Sequence, residues 1–116
     1  MYLFEEPVSS IIINTSEHTL SLYIDNEFSK TYPVAVGKPT TPSPLGTFKI
    51  FSKGLNPGGP YGARWMGLSK PHYGIHGTNN PSSIGLDASH GCIRMQNEDV
   101  IELYDLVSIG DIVEII

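Results

Sequence analysis

Short apolar segments separated by stretches rich in glycine and proline are the feature that most constrains this fold. The chain has 116 residues, of which 12 are glycine and 9 are proline, and proline fixes its φ angle and lacks a donor for a sheet. Between residues 19 and 25, Leu20, Leu22 and Ile24 alternate with polar or aromatic neighbours. A period of two is typical of a half-buried strand. The sequence therefore predicts a mostly-β protein.

The same reading places the elements along the chain. Strands are predicted at residues 10–14, 19–25, 27–36, 47–52, 64–69, 73–76 and 112–116, the first three as an antiparallel meander. Asn97 is a favourable N-cap residue. Apolar side chains at Val100, Tyr104 and Val107 predict a helix that runs from there to about Val107. Residues 37–46, 53–63 and 77–88 are predicted loops.

Length and charge limit the class of protein. A chain of 116 residues has the length of one domain, so we expect residues 1–116 to form a single unit. Seven basic against twelve acidic residues give a net charge of −5, which would repel a nucleic-acid backbone. We expect no nucleic-acid partner, no membrane span and a monomer. Residues 1–7 have neither the basic nor the apolar region of a secretory signal.

The only cysteine of the chain, Cys92, lies in a segment that favours chemistry. A thiol reacts as thiolate, and its ordinary pKa of about 8.5 leaves it protonated near neutral pH unless a base or a positive charge is close. His76 and His90 are the candidate bases. Gly91 allows a sharp turn that can direct backbone N–H groups at a substrate carbonyl. The pattern indicates a nucleophile, a base and oxyanion donors in one cleft.

Two other readings of this segment stay open. A lone cysteine often packs in a core as a small apolar side chain. In addition, His72, His76, His90 and Cys92 are all zinc-ligand types. On a strand, however, the first two histidines would lie roughly 13 Å apart, too far to share one ion directly. We therefore predict no metal and no cofactor, and keep a zinc-binding protein as an alternative.

These residues carry a resemblance to a known family. IHGT at residues 75–78 and SHGCIRM at residues 89–95 resemble the active-site signature of the L,D-transpeptidase catalytic domain, the cysteine transpeptidases that cross-link bacterial peptidoglycan. PSPLGTF at residues 42–48 is similar to the TPxPxGxF segment of that family. The resemblance runs from about Ile11 to the C-terminus. Many members have asparagine where this chain has Arg94, although others also carry arginine there.

The resemblance implies a fold and a set of catalytic groups. The fold would be a β-sandwich of two mixed sheets with one main α-helix and with the catalytic loop at one edge. Cys92 would be the nucleophile and His76 its base, oriented by the backbone carbonyl of Gly77. Backbone N–H groups of His90, Gly91 and Cys92 would hold the oxyanion.

Four further residues are candidates for substrate binding. Arg94 could pair with a substrate carboxylate through its bidentate fork, or be a surface arginine. Ser89 is either a site residue or a local turn former. Tyr61 and Trp65 could form an apolar wall for a peptide, and core packing is the alternative for Trp65.

The resemblance also implies the reaction. The enzyme would cleave the bond between the L-centre of a diamino acid and a terminal D-alanine in a peptidoglycan stem peptide, form a thioester at Cys92, and transfer the acyl group to an amine of another stem. Carbapenem-type β-lactams are the expected acylating inhibitors, and the bacterial cell wall or spore wall is the expected place of action. The alternatives are an L,D-carboxypeptidase that uses water, a non-catalytic wall-binding module, and the zinc-binding protein.

Overall fold

A computed structural model describes residues 7–116 of the chain. Residues 1–6, part of the segment that we interpreted as lacking a secretory signal, lie outside the described residues. The strands are β1 (Ser9–Asn14), β2 (Thr19–Ile24), β3 (Glu27–Gly37), β4 (Gly46–Leu55), β5 (Arg64–Leu68), β6 (Gly74–His76), β7 (Asp87–Ser89), β8 (Ile93–Met95) and β9 (Ile112–Ile115). Helix α1 spans Asn97–Leu106, and single 3₁₀ turns span Gly59–Tyr61 and Pro81–Ser83. Over this part of the chain, the predicted mostly-β structure with one α-helix is confirmed.

The sheet closes on itself. Strand β3 pairs antiparallel with β2 along its first part and with β8 through Val34 and Ala35, so the ring runs β3-β2-β1-β9-β4-β5-β6-β8 and returns to β3. Strand β7 pairs with the end of β3, outside this ring of eight. The expected β-sandwich of two sheets is therefore wrong, and the fold is a barrel. The 11 residues of β3 make closure possible, because one strand serves two neighbours in succession.

Alternating side chains fill the barrel, as expected for a ring of this size. Its buried apolar residues include Ile11, Ile13, Leu20, Leu22, Val34, Ile50, Met66, Ile75, Ile93, Met95, Val113 and Ile115. Each such side chain stabilises the fold by about 1.5–3 kcal/mol when it leaves water. Helix α1 adds Val100 and Leu103 to the same cluster and packs against β5 and β6. The helix is thus anchored on the side of the barrel that carries His76.

Several local predictions are confirmed and three need correction. The meander β1-β2-β3 is antiparallel as predicted. Strand β7, however, lies within the predicted loop 77–88. Strand β4 continues to Leu55, so the predicted loop 53–63 begins later; Gly54 pairs with Trp65 despite its low strand propensity. Gln96, not Asn97, occupies the N-cap position and makes no side-chain cap bond. Among the described helices, none is long and apolar enough to cross a membrane.

Candidate active site

Parallel pairing of two short strands brings the two sequence motifs together. Strand β6 ends at His76, and β8 begins directly after Cys92. Ile75 pairs with Ile93 and His76 with Arg94. A pocket of about 340 Å³ opens at this point, lined by Pro60, Tyr61, His76, Ser89, His90, Cys92 and Arg94. The structure therefore brings together all the predicted site side chains except Trp65, which is not part of this lining.

The ring of His76 is buried and held in one orientation. Its Nδ1 lies 2.5 Å from the backbone oxygen of Gly77. Because a carbonyl only accepts, Nδ1 carries the proton, and Nε2 of the neutral ring keeps a free lone pair. The ring stacks on Trp65 with centroids 5.7 Å apart and meets the ring of Tyr61 edge-on at 5.1 Å. Trp65 thus packs against one face of the His76 ring.

Burial sets the charge of this ring. It lowers the pKa of His76, and the nearby positive charge of Arg94 lowers that pKa further, while the bond to the Gly77 carbonyl opposes both. A lowered pKa leaves the imidazole neutral near pH 7. The ring is consequently able to accept a proton.

The Cys92 thiol is half-buried and points at a backbone oxygen. Its Sγ donates to the carbonyl of His72 over 3.6 Å. Burial raises the pKa of the Cys92 thiol, against the lowering effects of a backbone hydrogen bond with Gly74 and of the Arg94 charge. Within the described residues the hydrogen-bond partners of this thiol are backbone groups, the His72 carbonyl among them, and not the imidazole. The thiol must therefore turn from that carbonyl to reach Nε2 of His76.

Ser89 shapes the turn that precedes the cysteine. Its buried hydroxyl donates to the Cys92 carbonyl over 2.6 Å and accepts the Gly91 N–H at 3.0 Å. Gly91 has a φ of +121°, and a Cβ there would come within 2.6 Å of the Tyr73 ring, so only glycine fits. Of the three predicted oxyanion donors, the N–H of Gly91 is therefore occupied. The N–H groups of His90 and Cys92 have no protein acceptor within residues 7–116.

The remaining predicted side chains lie around the mouth of the pocket. Arg94 is half-buried and forms no ion pair within the described part of the chain. His90 is exposed. Tyr61 separates the pocket from a neighbouring hollow of about 460 Å³, which it lines together with Pro57, Trp65 and His72. The guanidinium is thus available to an anionic group that enters the pocket.

Asn97 is a contributor that the sequence analysis assigned to helix capping. Its Oδ1 accepts the N–H groups of Ala63 and Thr78, both at 3.1 Å, and its Nδ2 donates to the Thr78 carbonyl over 2.9 Å. A Cβ at Gly62 or at Gly77 would collide with this Oδ1. The two glycines were the only sequence signal for such a close approach. Asn97 ties the loop before β5 to the segment after β6.

Within residues 7–116 no metal cluster competes with this site, and the sequence contains no second thiol. Among the described residues, no three His, Cys, Asp or Glu side chains are grouped so that they could hold a metal ion. Another pocket of about 340 Å³ adjoins the proline-rich loop and includes His18, Lys38 and Asp87. Its His18 Nε2 lies 2.7 Å from Asp87 Oδ1. Since the chain has one cysteine, the Cys92 pocket is the one that contains a thiol.

A family profile and a related protein both match most of this chain. The sequence profile described as L,D-transpeptidase catalytic domain matches residues 9–115. A Bacillus subtilis protein, the candidate L,D-transpeptidase YkuD, is 56% identical over 100 residues, which cover 86% of this chain and 61% of that protein.

Two solved structures have a similar fold. L,D-transpeptidase 3 from Mycobacterium tuberculosis is 23% identical, with 95% of this chain and 61% of that chain covered and a TM-score of 0.84. The LD transpeptidase LdtMt1 in complex with imipenem is also 23% identical, with 95% and 59% covered and a TM-score of 0.82. The chain spans about three fifths of the length of the proteins that it matches here.

Proposed function

This chain belongs to the L,D-transpeptidase catalytic domain family, and on that premise we propose that it is a cysteine-dependent L,D-transpeptidase acting on peptidoglycan stem peptides. One observation carries the proposal: Cys92 and His76 line the same pocket, and Nδ1 of His76 is held by the Gly77 carbonyl. That arrangement leaves Nε2 as the proton acceptor for the thiol. We further propose that residues 1–116 work as one catalytic domain.

Acylation begins when the thiol turns from the His72 carbonyl towards His76. Nε2 of His76 takes the thiol proton while Sγ attacks the carbonyl carbon between the L-centre of a diamino acid and a terminal D-alanine. The resulting imidazolium is stabilised by its Nδ1–H bond to Gly77. It then gives the proton to the leaving amino group of D-alanine. The products of this step are free D-alanine and a thioester at Cys92.

The negative oxygen of the tetrahedral intermediate needs donors during this step. The N–H groups of Cys92 and His90 serve, because the N–H of Gly91 is already bound by Ser89. Loss of one such donor typically costs about 3 kcal/mol of transition-state stabilisation. Arg94 pairs with a carboxylate of the stem peptide, and Tyr61 forms the apolar wall on the opposite side.

In deacylation His76 again transfers the proton, this time from the attacking amine to the sulfur. An amine of a neighbouring stem attacks the thioester carbonyl, His76 accepts the amine proton, and this proton returns to Sγ as the carbon–sulfur bond breaks. The product is a cross-link between two stems. If water were the acceptor, the product would be a shortened stem with a free carboxylate, the reaction of an L,D-carboxypeptidase.

Carbapenem-type β-lactams are proposed as acylating inhibitors of the same cysteine. Sγ attacks the β-lactam carbonyl, the ring C–N bond breaks, and the ring nitrogen takes the proton. A solved relative with imipenem bound supports this proposal.

Mass spectrometry of stem peptides incubated with the purified protein tests the proposal. The wild-type protein is expected to release D-alanine and to form cross-linked dimers. Cys92→Ala should lower the rate on the order of a thousandfold or more, since the covalent route is lost. Ser82→Ala, at an exposed position outside the pocket, is the matched control and should keep full activity.

The same measurement separates the alternatives. Shortened stems without dimers would indicate a carboxypeptidase. Saturable binding without any product, equal in wild type and Cys92→Ala, would indicate a wall-binding module and contradict the proposal. Activity that is lost to a chelator would favour the zinc alternative.

A further inference from the structure

We propose that Asn97 is a positioning residue that holds His76 in its proton-accepting form through a single peptide group. The inference rests on the proposed function, because it assigns His76 the role of base. Asn97 is not among the residues that line the pocket. Its effect would pass through the peptide between Gly77 and Thr78.

One rigid plane connects the two side chains. The C=O of Gly77 and the N–H of Thr78 belong to the same peptide group, which is planar and directs the two bonds in opposite directions. The N–H end donates to Oδ1 of Asn97 over 3.1 Å. The C=O end accepts the Nδ1–H of His76. A rotation of this plane that breaks one of these hydrogen bonds also weakens the other.

The amide of Asn97 is itself fixed by further bonds. Its Oδ1 also accepts the N–H of Ala63, and its Nδ2 donates to the carbonyl of Thr78. The backbone of Asn97 belongs to the first turn of α1, whose Val100 is fully buried. The Oδ1 therefore stands on a rigid element, and it can impose a direction on the peptide that it binds.

Because residue 77 is a glycine, the peptide that follows it needs a hydrogen bond from another residue to fix its orientation. Glycine allows a wider range of backbone angles than any other residue, and a Cβ here would collide with Asn97 Oδ1. The close approach thus requires a glycine, and the same glycine leaves the peptide free to rotate when the amide is removed. Donation of the Thr78 N–H also polarises the peptide, which makes the Gly77 carbonyl a better acceptor.

The consequence for catalysis concerns the proton of the imidazole. A neutral ring carries one N–H, and the Gly77 carbonyl selects Nδ1 for it. If that carbonyl turns away, the proton can occupy Nε2, and the ring can then no longer take the proton of Cys92. Loss of the Asn97 amide should therefore lower the rate of the chemical step.

Kinetics of two neighbouring variants provide the first test. Asn97→Ala should lower kcat by about tenfold to a hundredfold, the scale of an effect from a misplaced catalytic group, with little change in KM. Gln96→Ala is the matched control, because it removes a side-chain bond from the same helix start, to the Pro81 carbonyl at 3.3 Å, and should keep the wild-type kcat. Asn97→Asp still accepts both N–H groups but loses the donor to the Thr78 carbonyl, and it should recover part of the lost rate.

Nitrogen-15 NMR of the histidine rings provides a readout that does not depend on turnover. In wild type and Gln96→Ala, His76 should show one tautomer with the proton on Nδ1. Asn97→Ala should show a mixture with the Nε2–H form. Asn97→Ser, which is too short to reach Thr78, gives the same test if the alanine variant does not fold.

The outcomes distinguish this inference from the proposed function. An inactive wild-type protein whose His76 tautomer still depends on Asn97 would refute the transpeptidase and leave the positioning role standing. Asn97 variants with an unchanged tautomer and an unchanged kcat would overturn the inference, even if their melting temperature fell. A loss of kcat with an unchanged tautomer would overturn it as well.

Discussion

The thiol of Cys92 and the imidazole of His76 rest in their neutral forms near neutral pH. Burial has opposite consequences for their pKa values, because it disfavours the charged form of each group: it raises the pKa of the thiol and lowers that of the ring. A preformed thiolate–imidazolium pair is therefore disfavoured in the free protein. In the proposed reaction, proton transfer would therefore accompany the attack of the thiol on the substrate.

Alkylation of Cys92 by iodoacetamide should report this neutral state. Only the thiolate reacts, so the rate follows the thiolate fraction. Because the folded-state pKa is raised, the rate should still be rising with pH above about 8.5, the ordinary thiol value. The same chain in denaturant is the control, and its midpoint should lie at lower pH. A rate that levels off below about pH 7 would contradict the prediction, since it would require a thiolate stabilised by a charged imidazole.

Single residues differ in how far the sequence reveals their role. Residue type pointed to Cys92 and to two candidate bases, His76 and His90, because thiol chemistry needs a base. The choice of His76 came from the family resemblance and stays a prediction. Asn97 could not be identified from residue type, since its partners Ala63 and Thr78 are 34 and 19 residues away and nothing local marks the contact. The bond between Gly91 N–H and Ser89 was equally hidden, because a hydroxyl two residues away can also point to solvent.

At the scale of elements, the C-terminal end of α1 depends on a lysine from another strand. Lys53 of β4 donates from Nζ to the carbonyls of Tyr104 and Val107, both over 2.7 Å. Its Nζ also lies 4.1 Å from the centroid of the Tyr104 ring. A cation at the negative end of a helix satisfies carbonyls that have no partner within the helix. This contact fastens α1 to the barrel.

Replacement of this lysine should loosen the helix from the sheet. Lys53→Met keeps the length of the stem but leaves two carbonyls without their charged donor, and it should lower the free energy of unfolding by about 1–2 kcal/mol. Chemical denaturation measures the change. Lys49→Met is the matched control, because Lys49 is exposed on the same strand and should change stability by less than about 0.5 kcal/mol. Equal losses in both variants would refute the capping role.

The elements themselves were largely predictable from periodicity. Strong alternation, as in β2, located the longer strands. Strand β7 was not predicted, because it has only three residues and pairs irregularly with β3. A strand of this length is too short to show a period in the sequence. The end of β4 was missed for a different reason. Gly54 locally indicates a loop, but its pairing with Trp65 keeps it in the strand.

At the scale of the whole molecule, closure of the sheet was the feature that the sequence did not reveal. Sandwiches and barrels share the same alternation of inward and outward residues. What separates them here is the double pairing of β3, which depends on contacts between segments far apart in the chain. Closure costs conformational entropy, because it orders contacts between segments that are far apart in the chain. Its benefit for the site is that it fixes β6 beside β8.

Closure also predicts that a destabilising substitution in β1 weakens its neighbouring strands as well, because β1 pairs with both β2 and β9. Ile13 faces the interior and is fully buried, so Ile13→Ala should cost about 2–4 kcal/mol of unfolding free energy. Ile12→Ala, on the half-buried outer face of the same strand, is the matched control and should cost about 1 kcal/mol or less. Hydrogen exchange should show protection lost together in β1, β2 and β9 for Ile13→Ala, because a ring leaves no strand of the three a free edge. Loss confined to β1 would mean that the strands open independently and that the ring is not a cooperative unit.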